Sequence, residues 1–182
     1  MKTTIKIIAC FIFLSTFYGC TVYKAAVDER HVGTIADDTL IKGKIVKKII
    51  EDDKLKLLDI STGCYRGHVY LVGEYDDAAQ KDRAIKIAKS VDGVKEVTTY
   101  MLPKKKDDPC GIKDNLEIAA KVKAKLIADK DIWSTNIDVK SVQCHVVLYG
   151  LVGSKPEIDK AVAHAKSVDG IRDVTSFLEA VK

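Results

Sequence analysis

The sequence predicts an α+β fold: two tandem small αββαβ sandwich modules, each with two helices on one face of a three-stranded sheet. The first observation behind this is a repeat. Ala88–Thr98 returns as Ala165–Thr175, changed only at Val94/Ile171, Lys95/Arg172 and Glu96/Asp173. The offset of 77 residues holds without a gap back to Ile35 and Ile112. A fixed period of this kind marks one supersecondary unit made twice. The second observation is that each copy switches between apolar spacings of 3.6 and 2, as helices and strands require. The third is the stretch Pro103-Lys104-Lys105-Lys106-Asp107-Asp108-Pro109-Cys110-Gly111, whose Pro, Gly and charge run punctuate the chain between the copies.

In chain order, Ile41, Ile45 and Ile49 recur every fourth residue and give the first helix one apolar face, as Ile118, Val122 and Leu126 do in the second copy. Asp114 with Glu117 reads as a capping box, which starts the second copy's first helix at Asp114 and carries it to Ile127. Polar breaks follow at Asp52-Asp53 and Asp129-Lys130-Asp131. Ile137-Asp138-Val139-Lys140 alternates as a strand does. His68–Gly73 and His145–Gly150 are the next strands. Asp77 with Gln80, and Ser154 with Glu157, then cap a second helix, on which Ala84, Ile87, Ala88 and Val91 share a face. Gly93 and Gly170 suit the left-handed position that ends a helix. The final strands read Val94–Met101 and Ile171–Leu178.

Period-2 geometry divides the strand residues between two faces. Val69, Leu71, Val146 and Leu148 face the helices, while Tyr70, Tyr100, Tyr149 and Phe177 fall on the outer sheet face. That aromatic face reads either as scattered exposed apolars or as a docking surface for the sister module or another protein.

The front of the chain is a targeting segment. Lys2 and Lys6 precede an apolar run from Ile7 to Leu14, too short to cross a bilayer but suited to a secretory signal. Gly19-Cys20 at its end resembles a bacterial lipoprotein signal, in which the cysteine is acylated and becomes the mature N-terminus; Thr21, with no Asp there, implies sorting to the outer membrane. The alternative is an ordinary cleaved signal with Cys20 incidental. The resulting plan is a signal at 1–19, a lipidated tether at 20–34, a module at 35–102, a linker at 103–111 and a module at 112–182.

Net charge is +4, and Lys2 and Lys6 leave with the signal. A mature chain near +2, exported, is not the footprint of a nucleic-acid binder. Cys10 leaves too, so Cys64, Cys110 and Cys144 remain besides Cys20. One disulfide with one free thiol, or three free thiols, both fit an oxidising compartment. Cys64, His68, Cys144 and His145 match no zinc spacing, so no metal or cofactor is expected. No nucleophile elbow, phosphate loop or HExxH is present, and His68 and His145 have no nucleophile assigned to them by sequence, so no enzyme is expected.

Val69-x-Leu71-x-Gly73, Ala84-x-x-x-Ala88 and Val91-Asp92-Gly93-Val94-x-x-Val97 resemble the BON domain, the bacterial osmotic-stress and nodulation module. Val146-x-Leu148-x-Gly150, Ala161-x-x-x-Ala165 and Val168-Asp169-Gly170-Ile171-x-x-Val174 repeat the pattern. Asp28–Thr34 with Asp37-Asp38 is similar to the lead-in of dual-BON outer-membrane lipoproteins. The resemblance implies a periplasm-facing lipoprotein that binds anionic phospholipid, supports envelope integrity and has no catalytic activity. It places the lipid-binding surface on the first helix of the second module. That helix carries Lys121, Lys123 and Lys125, with Lys130 and Trp133 beyond it. Lys121 and Lys125 are one turn apart beside the stripe of Ile118, Val122 and Leu126, and the residues proposed to meet lipid are Lys121, Lys125, Lys130 and Trp133. Lys44, Lys47 and Lys48 form a competing patch on the first module. The other reading is a protein–protein adaptor in the envelope that docks a partner on Tyr70, Tyr100, Tyr149 and Phe177.

Overall fold

Each module is built as helix, strand, strand, helix, strand in a computed structural model that describes residues 32–55 and 60–181. The first contains α1 (Val32–Ile50), β1 (Ile60–Tyr65), β2 (His68–Tyr75), α2 (Ala78–Lys89) and β3 (Glu96–Pro103). The second contains α3 (Ile112–Ala128), a 3-10 turn (Ser134–Asn136), β4 (Ile137–Val142), β5 (His145–Val152), α4 (Lys155–Lys166) and β6 (Asp173–Ala180). In each sheet the middle strand pairs antiparallel with the strand before it and parallel with the last. The parallel pair requires a crossover, and α2 and α4 provide it. Cys20 and the signal lie outside the described residues.

The expected helix faces are buried. Ile41, Ile45 and Ile49 pack with Val69, Leu71, Ala84 and Ala88 in one core. Ile118, Val122 and Leu126 pack with Val146, Leu148, Ala161 and Ala165 in the other. The alanines present no side chain beyond Cβ, which lets each crossover helix lie close to its sheet.

A third core lies between the sheets. Tyr65, Tyr70 and Val72 meet Val142, Val147, Tyr149 and Leu151, with Tyr100 and Phe177 packed at the edge. The molecule is therefore four layers, helix–sheet–sheet–helix. β1 lies against β5 and β2 against β4, a reciprocal pairing of equivalent strands. The side chains are not reciprocal. Tyr70 stacks on Tyr149, 5.2 Å between centroids, although the two are not equivalent positions of the repeat.

Several boundaries differ from the expectation. The last strands begin two residues late, because Val94 and Lys95 are used in the turn: Val94 N donates to Val91 O at 3.2 Å and Lys95 N to Gly67 O at 2.9 Å. Gly93 and Gly170 take φ of 91° and 85°, in the left-handed region. Asp114 sits inside α3 and not before it. Its carboxylate accepts from Gly111 N at 2.8 Å, so the helix begins at Ile112. Asp77 caps α2 as expected, accepting from Gln80 N at 2.8 Å. Ser154 makes no such bond. Glu157 instead turns back to accept from Gly153 N at 2.9 Å and Trp133 N at 2.7 Å.

Both β-hairpins use two-residue turns with positive φ, at Arg66-Gly67 and Gln143-Cys144. A side chain from the first helix clamps each turn, buried in the first module and partly buried in the second. Asp38 accepts from Arg66 N at 2.8 Å and Gly67 N at 2.9 Å. Asn115, its equivalent, accepts from Cys144 N at 3.0 Å and Ser141 Oγ at 2.7 Å. Asp38→Ala leaves two buried donors without their acceptor and should cost about 2–4 kcal/mol. Asp38→Asn, which copies the second module, should cost under about 1.5 kcal/mol; urea unfolding of both variants checks this.

Candidate functional site

On α3 the structure separates what the sequence grouped. Ile118, Val122 and Leu126 are 5%, 0% and 0% exposed, so the stripe beside Lys121 and Lys125 belongs to the core and cannot meet a ligand. A different apolar row faces water: Ile112 is 83% exposed, Leu116 68% and Ile127 64%, with Trp133 at 45% just past the helix. At 3.6 residues per turn, Lys121 and Lys125 lie roughly 120–180° around the helix from Leu116 and Ile127.

The lysines differ in state. Lys121 pairs with Glu117 at 2.6 Å, which holds the ammonium above its usual range and the carboxylate below its own. It also shares a cleft with Asp114 and Asp169. Lys123 is structural: its ammonium donates to the carbonyls of Ser134 and Ile137, the latter at 2.7 Å, and ties α3 to the start of β4. Lys113, Lys125 and Lys130 are exposed.

Trp133 is held in place by its backbone. Its N–H donates to the buried Glu157, and Trp133 O accepts from Asn136 N at 2.9 Å. The preceding loop is pinned by Asp129 on His164 at 2.8 Å and by the Asp131–Lys160 pair. An anchored loop presents the indole at little further conformational cost on binding.

The competing patch on α1 is weaker. Lys47 faces Glu51 at 3.7 Å, Lys48 donates to Ser90 Oγ at 3.0 Å, and among the described residues Leu40 and Ile50 are the large exposed apolar ones there.

The outer sheet faces of the two modules cover each other in large part. Tyr70 and Tyr149 are each 1% exposed, and Tyr100 and Phe177 are partly buried in the same cluster. Burial pushes the Tyr70 and Tyr149 hydroxyls well above the usual phenol range, and the Glu179 carboxylate adds to it at Tyr70. Tyr70 donates to Glu179 at 2.8 Å, and His68 bridges Glu179 at 2.9 Å and Thr98 at 2.8 Å. Tyr65 donates to Asp138 at 2.9 Å. These bonds join the two modules and occupy both ring nitrogens of His68.

Cys110 and Cys144 form a disulfide, and Cys64 is buried with its thiol donating to Asp38 at 3.4 Å. Cys64 points into the first core while His68 faces the other sheet, so the four Cys and His side chains do not converge. The disulfide fixes the linker to the β4–β5 turn. Arg172 adds a two-pronged bond to Asp108 at 2.8 and 2.9 Å, and Gln143 donates to Pro103 O at 2.8 Å. Sequence reasoning missed these contacts; the one available signal was that Cys144 stands where the first copy has Gly67.

The carboxyls of Asp52, Asp108 and Asp129 are held below their usual range by Arg83, Arg172 and His164 respectively. A depressed carboxylate stabilises the fold above its unfolded pKa and loses that contribution as pH falls through the folded value. Stability should therefore hold down to roughly pH 5 and decline below about 4, as circular dichroism melts across pH would show.

Comparison with known sequences matches the BON domain twice, at residues 37–102 and 114–182. The chain is 32% identical over 150 residues to the osmotically-inducible protein Y of Escherichia coli (strain K12), covering 81% of this chain and 75% of that one. It is 28% identical over 157 residues to the outer membrane lipoprotein DolP of Haemophilus influenzae, covering 86% and 81%. It is 26% identical over 157 residues to a 21 kDa hemolysin of Actinobacillus pleuropneumoniae, covering 86% and 80%.

Proposed function

Since the chain belongs to the BON-domain family, we propose that it is a non-enzymatic outer-membrane lipoprotein facing the periplasm, which reads anionic phospholipid through α3 and the Trp133 loop. Cys20 is the acyl anchor in this reading, and the relative from Haemophilus influenzae, itself an outer membrane lipoprotein by name, supports it. The observation that carries the reading is the row of Ile112, Leu116, Ile127 and Trp133 left in water, with exposed Lys113 beside it on α3. A helix of this kind lies in the membrane interface with its apolar row among the acyl chains. Trp favours that depth, and each lysine near an anionic leaflet contributes about 1 kcal/mol. Lys113 and Lys130 carry the charge better than Lys121, whose charge is already matched by Glu117, and better than Lys125, which lies across the helix from the row.

The tether supports the reading through its length. Thr21 to His31 reaches at most about 40 Å, so an acylated Cys20 keeps the modules beside the bilayer and raises the effective concentration of lipid at α3.

Flotation of the non-acylated protein, Thr21–Lys182, with liposomes tests the proposal. It predicts co-flotation with phosphatidylglycerol vesicles that weakens with salt, little with neutral ones, and loss on Leu116→Ser with Lys113→Glu. Equal flotation with neutral and anionic vesicles, or none, would contradict it.

A further inference from the structure

The repeat builds one cleft twice, and the linker walls one copy. In the second module Lys121, Asp169, Gly170 and Arg172 line a cleft of about 330 Å³ between α3, the β4–β5 turn and the turn before β6. The equivalent Lys44, Asp92, Gly93 and Lys95 line one of about 500 Å³ in the first. Both are framed alike, since Arg172 N donates to Cys144 O and Lys95 N to Gly67 O, each at 2.9 Å. In the second module the linker enters this cleft. Asp108 places its carboxylate on Arg172, Pro109 follows, and Cys110 closes the segment covalently onto Cys144.

We propose that the open cleft of the first module binds an acidic segment of a partner protein, seating a carboxylate at Lys95 as the second module seats Asp108 at Arg172. Three observations carry this. First, the second module shows which chemistry the rim of this frame accepts: Arg172 takes the carboxylate of Asp108, which precedes Pro109 in a turn-rich segment. Second, charge favours an anion more strongly in the open copy. Arg66 stands where the second module has Gln143, and Leu40 where it has Glu117. The open cleft thus holds Lys44, Arg66 and Lys95 against Asp37 and Asp92, with Asp38 in its floor already bonded to the turn. The linker-walled cleft holds Lys121 and Arg172 against Asp114, Glu117 and Asp169, and Arg172 at its rim still takes Asp108. Third, Gly67 in place of Cys144 removes the thiol, so an occupant of the open copy is held without a covalent bond and can leave.

The probe is a capped peptide copying Lys104–Gly111 with Cys110→Ser, titrated into the full mature chain with its disulfide intact while backbone amide NMR signals are followed. The expected result is saturable shifts at Arg66, Gly67 and Lys95. They should vanish for a peptide carrying Asp107→Asn and Asp108→Asn, weaken roughly ten-fold or more on Lys95→Glu, and strengthen on Lys95→Arg, whose fork takes a carboxylate with two bonds. Because Lys95 is exposed, neither variant should disturb folding. Equal binding of the neutral peptide, shifts elsewhere, or no shifts would overturn the proposal. It would also fall if those amides moved with phosphatidylglycerol vesicles and not with the peptide, which would assign the cleft to a lipid headgroup.

Discussion

Gly63→Val should uncouple the two modules and lower stability by about 2–3 kcal/mol. Gly63 lies on β1 beneath the Tyr149 ring, and a Cβ there would collide with that ring. Tyr149 cannot retreat, since it is 1% exposed, stacked on Tyr70 and set edge-on to Tyr65 at 6.4 Å. The sheets must then separate locally, and water reaches the buried tyrosines. Tyr149→Ala attacks the same core from the other side and should cost about 3–5 kcal/mol, the usual range for deleting a buried aromatic ring. In both variants a single unfolding transition should broaden or split, because each module keeps its own helix–sheet core. Lys140 occupies the equivalent position in the second module and is exposed, so Lys140→Ala should change stability by no more than about 0.5 kcal/mol. Calorimetry on the three variants distinguishes a shared inter-sheet core from two independent domains.

Removing the disulfide is the second large effect. Cys110 and Cys144 close a loop with a sequence separation of 34. On the chain-entropy account, opening it costs roughly 3–4 kcal/mol. The replacement at Cys144 matters, because that residue has a φ of 59° in the hairpin turn. Cys110→Ser with Cys144→Gly should recover about 1 kcal/mol relative to Cys110→Ser with Cys144→Ser, since glycine takes that conformation freely. The first module already has glycine there, at Gly67. Denaturant unfolding of the two double variants, with the oxidised protein as reference, measures both terms.

Much of the fold is legible because it is periodic. Ile118, Val122 and Leu126 announce a helix face, and the alternation through Val69, Tyr70 and Leu71 assigns each residue to a sheet face; the structure agrees on both. The same alternation isolates Tyr70, Tyr100, Tyr149 and Phe177 as one face but cannot say what covers it. The answer depends on Gly63 and Val147 leaving room for rings from the other module, a matter of shape and not of period. The candidate lipid site was harder to read. Lysines at Lys121 and Lys125 are easily counted in a sequence, but their value depends on neighbours such as Glu117 and Asp169, which the fold brings together. Leu116 and Ile127 carry no signal of exposure, because any helix has more apolar residues than one stripe needs. Asp38 and Asn115 share a position in the repeat, yet their work as turn clamps shows only once the hairpin stands beside the helix.

The central claim is that α3 and the Trp133 loop lie on an anionic membrane surface. Trp133 is the chain's single tryptophan, so its emission reports on that loop alone. The account predicts that phosphatidylglycerol vesicles shift the emission to shorter wavelength, that salt reverses the shift, and that Leu116→Ser weakens it. Emission unchanged while the protein still floats with those vesicles would contradict it, and would place the membrane contact elsewhere on the molecule.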